Sequence, residues 1–259
     1  VGEQKKPACK EVMNLFFSAF LWFLYGLSFL ISILIVTPVF VLTSYFDPYR
    51  KIPNYIFMFF GQSMVTLNPG WKRKIIGLEN YRPGQKNIVV ANHLSFLDMP
   101  LMATLPWKMK WVSKKEIFEI PVAGWLMKMA GHISIDRGSA RAFESLNTSH
   151  RFIEKGIPVM IFPEGTRSRD GSLKPFKRGA FVLALSGNYH IQPIAIHGTF
   201  NLMKPDSWRL NLRGNLILSI LPPVNSADFN DYQQLQDHVH GIISREVEKL
   251  KASENAIVD

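Results

Sequence analysis

His93 and Asp98 stand five residues apart in the run Asn92-His93-Leu94-Ser95-Phe96-Leu97-Asp98, and they are the pair best suited to moving a proton. An imidazole changes charge near neutral pH, which makes it the natural general base for deprotonating a hydroxyl. A carboxylate that accepts from one ring nitrogen fixes the tautomer, turns the other nitrogen outward and stabilises the imidazolium formed during transfer. The spacing brings the two side chains together if the segment turns into a helix after His93. Ser95 lies beside the histidine without the Gly-x-Ser-x-Gly context of a nucleophile and reads as a helix cap or packing residue.

A second group of functional side chains sits in Pro163-Glu164-Gly165-Thr166-Arg167-Ser168, after the apolar run Val159 to Phe162. Arginine suits bidentate contact with phosphate, and glycine lets backbone N–H groups approach an anion closely. On composition the loop is either a phosphate cradle or a solvated turn holding a surface ion pair. The chain has no G-x-x-x-x-G-K-[ST] loop, no H-E-x-x-H zinc site and no G-x-G-x-x-G fingerprint. Its one cysteine, Cys9, offers neither a disulfide nor a Cys-based metal cluster. The expected mechanism therefore uses no metal, no redox cofactor and no acyl-enzyme.

Those loops need elements to hold them. Asn87-Ile88-Val89-Val90-Ala91 reads as a buried strand, as do 131–135, 158–162, 191–197 and 216–221. Helical patterns fill the gaps over 139–155, with Ser139 as cap and Gly156 as stop, over 179–185, and over an amphipathic 232–252. Strands separated by helices predict an α/β fold with a mostly parallel central sheet flanked by helices. Chemistry then belongs at the carboxyl ends of the strands, where His93 and the Glu164 loop both fall.

The front of the chain has a different character. Val12 to Phe46 is 35 residues without a charge, and a second uncharged stretch runs from Tyr55 to Trp71. As one helix the first stretch would extend roughly 52 Å, against a hydrocarbon core of about 30 Å. Pro38 offers a place to bend or break it. Lys5, Lys6 and Lys10 precede it and Arg50 and Lys51 follow, which favours a re-entrant or in-plane hairpin over a single crossing. The apolar run also far exceeds the core of a signal peptide. The expected organisation is a membrane-embedded two-helix anchor over residues 1–71, then an α/β catalytic domain over 72–259. The expected location is the cell membrane, with the active site facing the cytoplasm.

Composition agrees. Lys and Arg total 30 against 20 for Asp and Glu, a formal charge of +10, while 47% of residues are hydrophobic. An anionic membrane surface or a phosphorylated lipid explains both halves. Nucleic acid does not, since the chain carries no zinc-finger spacing, RNP-like motif or basic-region heptad.

Taken together, Asn92-His93-x-x-x-x-Asp98 and Phe162-Pro163-Glu164-Gly165-Thr166-Arg167-Ser168 resemble the two best-known motifs of the glycerolipid acyltransferases. Gly131-His132-Ile133-Ser134-Ile135-Asp136-Arg137 resembles that family's second motif, and Ile191-Gln192-Pro193-Ile194 its fourth. Val112-Ser113-Lys114-Lys115-Glu116 is similar to a basic segment of the family, and the likeness runs from about Ile75 to Leu221. The branch it most resembles acts on 1-acylglycerol 3-phosphate; relatives acting on glycerol 3-phosphate or other lysophospholipids share the His–Asp pair. The resemblance implies direct transfer from acyl-CoA or an acyl-carrier protein to the sn-2 hydroxyl of lysophosphatidic acid, with His93 as base and Asp98 as its partner. Arg167 and Lys114 would hold the phosphate, Arg137 would assist, and Glu164, Gly165 and Thr166 would shape the pocket. Glu164, unable to bind phosphate, would orient Arg167 or a glycerol hydroxyl. Lys174, Lys177 and Arg178 read as membrane-surface attraction, and His132, His190 and His197 as structural.

Overall fold

The structure, a computed structural model, describes residues 7–136 and 142–255. Its centre is β2 (Asn87–Ala91), in which every residue is buried. A run of consecutive apolar residues suits a strand covered on both faces. The side-chain period of two then divides it: Val89 and Ala91 enter one core, while Ile88 and Val90 enter the other.

Four further parallel strands surround β2: β3 (Lys110–Lys114), β4 (Ile133–Ile135), β5 (Val159–Ile161) and β6 (His190–His197). β7 (Gly214–Ile220) runs antiparallel to β6 and carries β1 (Trp71–Ile76) parallel to itself at the edge. The sheet order is β1-β7-β6-β2-β5-β3-β4, and the short β8 (Val224–Asn225) pairs antiparallel with β6. The sheet is thus mixed α/β and mostly parallel, as the alternating pattern implied.

One face is covered by α5 (Ala142–Glu154), α6 (Gly179–Ser186) and α8 (Tyr232–Asn255), through Ile153, Phe181, Leu235, Val239 and Ile243. Gly156 follows α5 with a φ of +67°, the left-handed conformation that ends a helix cheaply in glycine. The Ser139 cap falls outside the described residues. The other face meets α3 (Asp98–Met102), α4 (Ala123–Met129) and the helical front of the chain; the one-turn α7 (Thr199–Leu202) follows β6.

The front forms α1 (Pro7–Thr43) and α2 (Lys51–Thr66). Pro38 does not break α1, which continues for more than a turn beyond it. The proline removes one N–H, but unwinding an uncharged segment would leave several more backbone groups unpaired. The turn comes instead at the first charge, where Asp47 Oδ2 accepts the Ile52 N–H at 2.8 Å and so caps α2. Within α1, Glu11–Thr43 is long and apolar enough to cross a membrane by length and composition, and only 22% of its most apolar window is buried. The inner side of α1 is fastened by polar groups. Tyr25 Oη donates to Met64 O on α2 at 2.8 Å, Trp22 Nε1 donates to Trp208 O at 2.7 Å, and Ser18 Oγ accepts the Leu210 N–H at 2.8 Å.

Candidate active site

Asp98 is the first residue of α3 and is fully buried. A carboxylate so placed needs donors on both oxygens, and it has four. Oδ2 accepts the backbone N–H groups of Leu94 at 2.7 Å and Ser95 at 2.8 Å, and meets His93 Nδ1 at 2.7 Å. Oδ1 accepts the hydroxyl of Thr199 at 2.6 Å. With an acceptor-only partner at Nδ1, the network assigns the proton to that nitrogen and leaves Nε2 as the free base. Phe162 stacks on the imidazole, with centroids 4.0 Å apart and planes 14° apart, which sets the orientation of the ring.

The loop after β5 clasps the same histidine by its backbone. Glu164 Oε1 accepts the His93 N–H at 2.7 Å, and Ser168 N–H donates to His93 O at 2.8 Å. Oε2 of Glu164 accepts the Lys174 N–H at 3.2 Å. Burial, which outweighs both N–H donors, pushes the Glu164 carboxyl up from 4.5 to about 7, with the charge of Asp98 adding to the rise. Both Glu164 oxygens are thus turned to main-chain N–H groups behind the histidine, and not to Arg167. Lys174 likewise does more than attract a surface: its Nζ donates to Arg167 O at 2.9 Å and Thr166 Oγ1 at 3.3 Å.

In front of this scaffold lies a cavity of about 300 Å³ lined by His93, Lys114, Gly165, Thr166 and Arg167. Lys114 enters at the carboxyl end of β3, and Gly165, at φ +78°, turns the loop sharply enough to face it. Neither cationic side chain of this pair has an ion-pair partner among the described residues. Arg169, at the rim, lies 3.9 Å from Asp206. Arg137 falls outside the described residues.

A second cavity, of about 430 Å³, lies between α1, α2 and the sheet and is walled by Phe29, Phe57, Phe60, Met64, Trp111 and Met127. His93, Met99, Ile117 and Arg167 line both spaces, so a basic pocket and an apolar one meet at the histidine.

Residues 72–197 match the family model described as Acyltransferase, a stretch that includes both loops. Through these residues the chain is similar to the acyltransferase family. It is 36% identical over 203 residues to the chloroplastic 1-acyl-sn-glycerol-3-phosphate acyltransferase LPAT1 of Arabidopsis thaliana, covering 77% of this chain and 56% of that one. It is also 36% identical over 216 residues to a 1-acyl-sn-glycerol-3-phosphate acyltransferase of Chlamydomonas reinhardtii, covering 81% and 64%. The chain thus spans less than two thirds of these curated relatives. The crystal structure of the 1-acyl-sn-glycerophosphate acyltransferase of Thermotoga maritima superimposes with a TM-score of 0.82 at 26% identity, covering 94% of this chain and 98% of that one. That coverage carries the likeness beyond residues 72–197 into the helical front of this chain.

Among the groups that hold the site, Thr199 was not legible in the sequence. It follows Asp98 by 101 residues, and an isolated threonine after a strand carries no local signal. Asn92 holds β2 to β6 from within the first motif: its Oδ1 accepts the Ile196 N–H at 2.7 Å, and its Nδ2 donates to Ile196 O at 2.9 Å. Ser95 is a packing residue, its hydroxyl donating to Met203 O at 2.7 Å. His132 is buried, accepts the Trp111 N–H at Nδ1 and stacks on that indole.

Proposed function

We propose that the chain transfers an acyl group from an acyl thioester, acyl-CoA or acyl-carrier protein, to the sn-2 hydroxyl of 1-acylglycerol 3-phosphate. The products are phosphatidic acid and the free thiol. The observation that carries this reading is the meeting of the two cavities at His93, because the acceptor is itself half anion and half hydrocarbon. Its phosphate fits between Lys114 and Arg167, with Arg137 as a further cation in the same role. Gly165 and Thr166 shape that wall. An acyl chain fits among Phe29, Phe57, Phe60 and Met64, and the hydroxyl between the two ends falls at the imidazole.

His93 Nε2 takes the hydroxyl proton as the oxygen attacks the thioester carbonyl. Asp98 stabilises the imidazolium, and the tetrahedral intermediate collapses with loss of the thiolate, which receives the proton from His93. No acyl-enzyme forms and no cofactor takes part.

Residues 1–71 act as the membrane anchor of a catalytic domain over 72–259, at the cell membrane with the site on the cytoplasmic side. Drawing a lipid chain into water costs about 0.8 kcal/mol for each CH₂ exposed, and a site docked at the interface avoids most of that. The test crosses a panel of lysolipid acceptors with both donor types and identifies products by mass. Phosphatidic acid from the wild type, and none from a folded His93→Ala variant, is the expected result. Free fatty acid as the product, or undiminished transfer by His93→Ala, would overturn the reading.

A further inference from the structure

Strand β3 begins at one cavity and ends at another. Lys114, its last residue, faces the catalytic pocket; Lys110, its first, lines a space of about 580 Å³ some 13 Å away along the strand, at roughly 3.3 Å per residue. This second space opens between the first turn of α2, the loop at Tyr81 and Pro83, and the segment Pro106 to Lys110. It is the largest of the cavities described here, and the mechanism does not use it.

Its chemistry is that of an anion site on an aromatic floor. Lys51, Lys108 and Lys110 line it and no carboxylate does. Lys110 is turned away, its Nζ donating to Arg50 O at 3.0 Å and Ala130 O at 2.5 Å, and burial pulls its pKa down to about 7, so it adds only part of a charge and no contact. Lys51 is exposed. Lys108 donates to Ala103 O and Leu105 O, which leaves one N–H, and lies over the Tyr55 ring at 5.6 Å. Asp47, the nearby carboxylate, is committed to the cap of α2. Tyr81 and Trp107 stack at 3.6 Å with planes 7° apart. Two polar atoms of the lining residues are buried with no partner among the described residues: the indole Nε1 of Trp107 and Oδ1 of Asn54. An unmet buried donor or acceptor costs about 1–3 kcal/mol, so both favour a ligand that offers an acceptor and a donor.

The rim says where that ligand comes from. Tyr55, 60% exposed, shares one face of α2 with Ile52 and Phe59, themselves 42% and 56% exposed. An apolar stripe leading into Trp, Tyr and Lys is the composition of a protein surface at the headgroup level of a membrane. We propose that this cavity binds the headgroup of an anionic, hydroxyl-bearing phospholipid that is not the substrate. Lys51, Lys108 and the Trp107 N–H hold its phosphate, Asn54 Oδ1 accepts a headgroup hydroxyl, and its chains lie along Ile52, Tyr55 and Phe59. The site would set the depth and tilt of the protein through a specific lipid at the far end of the sheet from the chemistry.

The test reads binding without turnover, so it stands apart from the acyl-transfer reading. The full chain in phosphatidylcholine vesicles containing a photoactivatable phosphatidylglycerol is irradiated, and the adducts are mapped. Adducts are expected on 105–110 and the first turn of α2, suppressed by unlabelled phosphatidylglycerol but not by inorganic phosphate. Removing either lysine charge, in Lys51→Gln or Lys108→Gln, should lower labelling about fivefold, the worth of one cation beside an anionic lipid. Lys108 also ties two carbonyls, so Lys51→Gln, with its melting temperature compared to wild type, is the decisive variant. Labelling spread evenly along α1 and α2, or unchanged in a folded Lys51→Gln, would overturn the proposal. Equal suppression by inorganic phosphate would do so too, because it would make the site one for a free anion.

Discussion

Glu164 holds His93 by the main chain: its Oε1 lies 2.7 Å from the His93 amide nitrogen, while the histidine ring faces Asp98. The carboxylate of the second loop is thus a positioning group for His93, and it links β2 to the loop after β5. Replacing it by glutamine keeps one acceptor oxygen but turns an NH₂ toward either His93 N–H or Lys174 N–H. Glu164→Gln should lower kcat about tenfold, the loss of roughly one hydrogen bond to a charged group, with little change in the KM for acceptor. Steady-state kinetics on vesicle-bound enzyme checks the split.

The same carboxyl gives a pH dependence of stability. Burial raises its folded-state pKa from 4.5 to about 7, so between those values the folded chain holds a proton that the unfolded chain gives up. Stability from this group is fully present below about pH 4.5, declines as pH rises, and is lost above about 7. The amount is on the order of 3 kcal/mol at about 1.4 kcal/mol per pH unit. Glu164→Gln should flatten this part of the stability profile, measured by denaturant unfolding across that range. An unchanged slope would place the titrating group elsewhere.

Thr199 carries the other side of the pair. Its hydroxyl is the donor to Asp98 Oδ1, and a valine in its place leaves that buried oxygen unpaired at a cost of about 1–3 kcal/mol. Thr199→Val should therefore lower both the melting temperature and kcat, whereas Thr199→Ser, which keeps the hydroxyl, should restore most of each. A purely structural role would lower stability without the loss of kcat.

How much of this was readable beforehand depended on range. β2 was legible to the residue because a strand buried on both faces shows as an unbroken apolar run, and the parallel arrangement followed from the alternation around it. β1 and β3 were hidden by their lysines and arginine. In β1, Lys72, Arg73 and Lys74 guard an exposed edge; in β3, Lys110 is buried and satisfied by two carbonyls far away in sequence. His93 and Asp98 could be paired from spacing because a local turn joins them. Thr199 and the backbone role of Glu164 act across sequence separations of 101 and 71, and no local pattern encodes them.

Lys114 and Arg167 face the basic pocket without ion-pair partners among the described residues, so both should act on the acceptor phosphate. Arg167→Lys keeps the charge but loses the planar fork, and a charge-assisted hydrogen bond is worth about 1.5–3 kcal/mol. The KM for lysophosphatidic acid should rise about 10- to 100-fold in this variant. Slow transfer to a monoacylglycerol, which has no phosphate, should be unchanged. Equal losses on both acceptors would mean that Arg167 supports the loop and not the ligand.

The outer face of α1 gives a test of the anchor. Phe16, Phe20, Phe23, Leu27 and Leu34 recur at helical spacing and are 44% to 74% exposed, whereas Leu21, Tyr25 and Val36 are buried against the fold. A charge on that outer stripe disturbs no internal contact but must enter hydrocarbon if α1 lies in a membrane, at about 2.5–3.5 kcal/mol for an aspartate at the centre of a helix. Leu34→Asp should therefore weaken flotation with vesicles at least severalfold while leaving the melting temperature in detergent near that of the wild type. Val36→Asp, on the buried side, should instead lower the melting temperature sharply, since it puts an unpaired carboxylate into the packed contact. Equal vesicle binding by Leu34→Asp and the wild type would mean that the outer stripe of α1 is not the surface that meets lipid.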